Sequence, residues 1–179
     1  MYTMQKMRKK FLARGVVALM LWVMTTPSHS TPLEYQVKAS YLYNFIQFIT
    51  WPKDVFDRAG KFNLCVVGVE RFGATLDAFT GERIEGHEIA VRRLERPAQA
   101  QTAHCHMLFI AADATDAASW DAVSERGVLT IGEAPNFLKR GGIINLVEVQ
   151  GRIRFQINQR AAQEAGLVLS SRLLDLATR

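Results

Sequence analysis

The chain has 179 residues, 49% of them hydrophobic and 22% charged, with 22 Lys and Arg against 17 Asp and Glu. The first thirty residues hold five basic and no acidic ones, which accounts for the whole positive excess, so residues 31–179 are formally neutral. That balance excludes the basic footprint of a nucleic-acid binder, and the length suits one domain, undivided by any Gly/Ser or Pro-rich linker.

In chain order, Lys6, Arg8, Lys9, Lys10 and Arg14 form a basic start, 15–24 an apolar middle, and Ser28-His29-Ser30 a small-x-small site. This predicts a signal peptide over residues 1–30, cleaved before Thr31. The apolar stretch is half the roughly twenty residues a spanning helix needs. Lysine as the second residue of the Arg8-Lys9 pair favours the general secretory route over the twin-arginine one. Both routes lead out of the cytoplasm, and a periplasmic domain over residues 31–179 is expected.

A buried helix is predicted over 34–50 from the stripe Val37, Tyr41, Phe45 and Phe48, with Leu42, Ile46 and Ile49 beside it. Trp51-Pro52 ends it, since proline restricts the residue before it and cannot donate to the helix. An apolar strand at 62–69 is followed by a short helix over 71–79. Strands are expected at 87–93, 105–111 and 128–131, with a helix capped by Asp116 to about residue 125 and a short helix over 135–139. The runs 143–149 and 152–157 flank Gln150-Gly151 as an antiparallel hairpin. Asn158 and Ser170 cap two closing helices, over 159–165 and 171–177. Strand–helix alternation with wholly apolar strands predicts an α/β fold: a three-layer sandwich whose mainly parallel sheet carries one antiparallel edge hairpin.

Cys65 and Cys105 are the only cysteines. In an oxidising compartment a disulfide between them is favoured over two free thiols. The turn from Gly68 to Gly73 joins a strand to a helix but lacks the middle glycine of a dinucleotide fingerprint and the lysine of a P-loop, which favours a plain turn. His104 and His106 would share one face of a strand, yet no third ligand accompanies them; no metal and no cofactor are expected. No Gly-x-Ser-x-Gly elbow and no paired acid with a nearby histidine occurs. The chain does not read as an enzyme. Glu148, Arg152 and Arg154 lie at the hairpin tip, Phe137 in the neighbouring loop and Arg172 on the last helix, and together they mark a candidate partner surface at a sheet edge. The same charges also suit an edge strand guarded against aggregation.

Several stretches in order, VKASYLYNF at 37–45 with Trp51-Pro52, LCVVG at 64–68, GHEIAV at 86–91, CHMLFI at 105–110, VLTIG at 128–132, GGIINL at 141–146, RFQIN at 154–158 and AGLVLSSRLL at 165–174, resemble the YfiR-like family of periplasmic proteins. The resemblance implies a regulator that represses an inner-membrane diguanylate cyclase through the cyclase's periplasmic domain, and so acts on cyclic di-GMP and biofilm formation. It also implies an outer-membrane, peptidoglycan-associated lipoprotein as a second partner that relieves the repression. Cys65 and Cys105 match the family's core bridge, whereas the C-terminal cysteine pair of its best-known member has no counterpart, since 137–146 contains no cysteine. Association as a homodimer is a further expectation. The alternative from another class is a periplasmic small-ligand or solute-binding sensor using the Gly68–Gly73 turn, and a third is an envelope enzyme.

Overall fold

The computed structural model describes residues 33–56, 60–69, 71–114 and 126–178. The expected signal peptide over 1–30 and the helix expected from Asp116 lie outside the described residues.

Helix α1 (Leu33–Phe48) turns Tyr35, Lys38, Ala39, Leu42, Phe45 and Ile46 inward. Val37, placed on the buried stripe by the sequence pattern, is exposed. The helix also stops two residues before the expected Thr50. Ile49 and Thr50 are strand β1, paired antiparallel with β9 (Val168–Leu169), so a pairing with the far end of the chain, and not Pro52 alone, sets the boundary.

The main sheet contains β2 (Lys61–Val67), β3 (Arg83–Ile84), β4 (His87–Leu94), β5 (Met107–Ile110), β6 (Leu129–Gly132), β7 (Ile144–Val149) and β8 (Arg152–Ile157), in the order β3-β4-β2-β5-β6-β7-β8. The four inner pairings are parallel and the two outer ones antiparallel. The α/β architecture and the β7–β8 edge hairpin are as expected. The opposite edge carries a second antiparallel pair, β3–β4, whose two-residue turn Glu85-Gly86 has both residues at positive φ, 47° and 87°. Glutamate is not a residue that announces such a turn.

Along β2, Phe62, Leu64 and Val66 enter one core while Cys65 and Val67 enter another on the opposite face. Double-sided burial of this kind is what a continuous apolar run in a parallel sheet encodes. Helix α1 covers the first face together with α4 (Gln159–Glu164) and α5 (Ser171–Leu176). Phe45 meets Phe155 edge-on at 5.1 Å, and Phe72 meets Phe109 at 4.9 Å. The caps form as read: Asn158 accepts from Ala161 N and Ser170 from Leu173 N.

Two expected helices shrink. The stretch 71–79 yields only α2 (Ala74–Asp77), and 135–139 only a 3-10 turn at Leu138–Arg140, closed by Gly141 at φ 90°. A short helix α3 (Gln99–Thr102) lies before β5. Strand β5 starts at Met107 rather than Cys105, three residues after His104, which takes a positive φ of 50°.

Candidate functional site

The Cys65–Cys105 disulfide forms, with Cα atoms 5.8 Å apart, and joins β2 to the segment entering β5 inside the second core. His106, next to Cys105 in the chain, packs against Phe56 and Phe62 of the first core instead. Its ring stacks against both, at 5.2 and 5.3 Å, those two rings being 6.4 Å from each other, and His87 stacks on Phe56 at 4.6 Å. Nδ1 accepts from Asn63 N at 3.0 Å, which places the ring proton on Nε2, 3.3 Å from the Val55 carbonyl. Burial, ahead of the neighbouring His87 and His104, pushes its pKa below the usual imidazole value. Both nitrogens are engaged, and His104 is exposed off the strand, so the shared-face histidine pair expected from the sequence does not exist. Among the described residues no group of three His, Cys, Asp or Glu is placed to hold a metal ion.

The Gly68 turn is closed as a phosphate site. Val69 N donates to both carboxylate oxygens of Asp113, at 3.2 and 3.1 Å. The amide that would greet an anion thus already holds one of the chain's own, and a cavity of about 480 Å³ lies beside the turn, between Val69, Arg96 and Asp113. Gly68 itself is required: at φ +103° a Cβ would stand 2.8 Å from Ala111 Cβ and Asp113 Oδ1.

A crevice of about 380 Å³, mostly apolar in its lining but with charged side chains along it, opens at the carboxyl ends of the strands, where open parallel sheets commonly bind ligands. Glu133, just past β6, accepts from Lys38 Nζ at 2.5 Å, from the Tyr35 hydroxyl at 3.0 Å and from Ala112 N at 3.2 Å. Lys38 also pairs with Glu34 one turn back. Burial works against the Lys38 ammonium, but the hydrogen bonds it donates to Glu133 and Glu34 outweigh it, and its pKa is raised. Tyr35 is raised too, first by burial and then by the Glu133 charge. Neither Lys38 nor Glu133 emerges from a search for catalytic patterns. The available signal was a lysine lying on the inward stripe of an apolar helix, between Tyr35 and Leu42.

The candidate partner residues separate. Phe137 is a correction: at 1% exposure it fills the second core, its ring pressed between Gly132 and Gly142, where a Cβ at either glycine would collide with it. Arg172 is exposed but lies over the Phe48 ring at 5.7 Å, at the C-terminal end of α1. Glu148 lines the same crevice as Lys38, which lies about 15 Å along α1 from Phe48. In β7–β8, Glu148 stands opposite Ile153, whereas Arg152 and Arg154 stand opposite Val149 and Val147. Paired residues share a face, so Glu148 and the two arginines project from opposite sides of the hairpin. The edge of β8 is also less open than a bare edge strand: the Ile153 carbonyl accepts from the Tyr41 hydroxyl at 3.1 Å and the Phe155 carbonyl from Thr178 N at 2.8 Å.

A family model described as YfiR/HmsC-like, DUF4154, matches residues 35–178. No curated protein matches the chain. Among solved structures, the crystal structure of a conserved domain protein from Vibrio cholerae O1 biovar El Tor aligns with a TM-score of 0.46 at 13% identity, over 80% of this chain and 59% of that one. The chain therefore spans about three fifths of that protein's length. No helix among the described residues is long and apolar enough to cross a membrane.

Proposed function

This chain belongs to the YfiR/HmsC-like family, and from that premise we propose that it is an exported regulatory binding protein that represses an inner-membrane diguanylate cyclase by contact with the cyclase's periplasmic domain. The family is associated with regulation of such cyclases. The observation that carries the reading is the extent of the match, residues 35–178, which takes in every strand of the main sheet. Repression of this kind needs only preferential binding to the inactive state of the target, because a ligand shifts an equilibrium by no more than its differential affinity for the two states. An outer-membrane, peptidoglycan-associated lipoprotein that competes for the same protein completes the proposed circuit.

Export follows from the basic start, the apolar middle and the Ser28-His29-Ser30 site. The small-ligand alternative at the Gly68 turn is weakened by Asp113, whose carboxylate takes the amide of Val69. The test is genetic and biochemical. Deleting the gene should raise cyclic di-GMP, and intact mass of the periplasmic protein should give a chain starting at or near Thr31. Unchanged cyclic di-GMP in a cell with a neighbouring cyclase, together with no binding to the purified periplasmic domain of that cyclase, overturns the reading.

A further inference from the structure

The outer face of the β7–β8 hairpin is built from two cross-strand pairs, Val147 with Arg154 and Val149 with Arg152. Val149 is 41% exposed and both arginines are exposed, while Val147 is half-buried. Neither arginine has an ion-pair partner among the described residues, unlike Lys38, Lys61, Arg93, Arg126 and Arg160. Arg152 and Arg154, two apart on β8, are rooted about 7 Å apart on the backbone, so the face presents two guanidinium groups side by side over an apolar floor, each stem able to lie on its paired valine.

From this geometry we infer that the hairpin's outer face docks a different protein through a segment in which two carboxylates bracket an apolar side chain. The inference rests on the reading of the chain as a binding protein and specifies where and by what chemistry it binds. Guanidinium groups engage carboxylates through paired, charge-assisted hydrogen bonds, and the valine floor supplies the apolar contact. A second copy does not fit this face. A two-fold contact would set Arg152 and Arg154 against their own counterparts with no carboxylate between them, and facing like charges repel. Strand addition to β8 does not fit either, because the Ile153 and Phe155 carbonyls are already held by Tyr41 and Thr178. Glu148, on the opposite face, takes no part.

The test places a photo-crosslinking amino acid at position 149 of the full chain, expressed and exported in its native host. Adducts are sequenced by mass spectrometry in the otherwise unchanged protein, in R152E/R154E and in E148K. Thermal unfolding of each variant checks that it is folded. The expected result is one adduct whose partner segment carries paired acidic residues beside an apolar one, reduced about tenfold or more by R152E/R154E and changed less than about threefold by E148K. No adduct, a segment without acidic residues, or equal sensitivity to both variants overturns the inference. An adduct that behaves as expected on a protein other than a cyclase keeps the docking face and removes the cyclase. An adduct on a cyclase that ignores R152E/R154E does the reverse.

Discussion

Lys38 on α1 and Glu133 at the end of β6 are 95 positions apart in the chain, yet their side chains, 6% and 8% exposed, form an ion pair that fastens the helix to the carboxyl end of the sheet. Lys38→Met leaves Glu133 buried with only the Tyr35 hydroxyl and the Ala112 amide for donors. Unfolding in urea should show a loss of about 3 kcal/mol, the range for breaking a buried pair from one side. Lys38→Met combined with Glu133→Leu should recover most of it, because an apolar pair leaves no charge to desolvate. A double variant as unstable as the single one would show that Lys38 acts through something other than this carboxylate.

The Cys65–Cys105 bridge closes a separation of 40 residues between two core segments. Replacing both cysteines by alanine should lower stability by about 4 kcal/mol on chain-entropy grounds, measured by guanidinium unfolding, with a steeper slope as the unbridged denatured chain exposes more surface. The native protein should resist thiol labelling until reduced. A loss below about 1 kcal/mol would mean that the unbridged chain is already restrained at these segments.

His106 sets a pH dependence. Its folded pKa is lowered by burial, so below its unfolded value of about 6.5 the unfolded chain binds the extra proton and the folded one does not. Stability is therefore full above that pH and falls as the pH drops through it, by at most about 1.4 kcal/mol per pH unit. Protonation would also turn the Nδ1 acceptor into a donor facing Asn63 N. Melting temperatures measured from pH 7.5 to 5 should fall more steeply for the wild type than for His106→Gln, and parallel curves would refute the assignment.

Phe137 separates core from contact. Phe137→Ala should cost about 3–5 kcal/mol, as for a large buried aromatic, and any loss of partner binding should follow the unfolded fraction. If the variant melts like the wild type but binds less, Phe137 reaches a partner after all, against its burial between Gly132 and Gly142.

The parts of this protein that were legible in its sequence are those whose causes lie within a few residues. Gln150-Gly151 announces a two-residue turn, Asn158 and Ser170 announce helix starts, and the apolar runs around Leu64, Met107 and Leu129 announce strands buried on both faces. Even the division of Glu148 from Arg152 and Arg154 was open to reading, because the turn pairs Val149 with Arg152 and every second residue then shares a face. Other features waited on the tertiary structure. Whether Ile49 and Thr50 continue a helix depends on Val168 and Leu169, whether Phe137 meets solvent depends on two glycines that leave room for its ring, and whether the Gly68 turn can receive an anion depends on Asp113. In each of these the deciding partner is brought up by the order in which elements pack in the folded chain, β9 against β1 in a separate two-stranded sheet and the others beside the main sheet. Local propensity and periodicity carry no record of that order, because the free energy that selects it comes from contacts formed only once the chain has closed on itself.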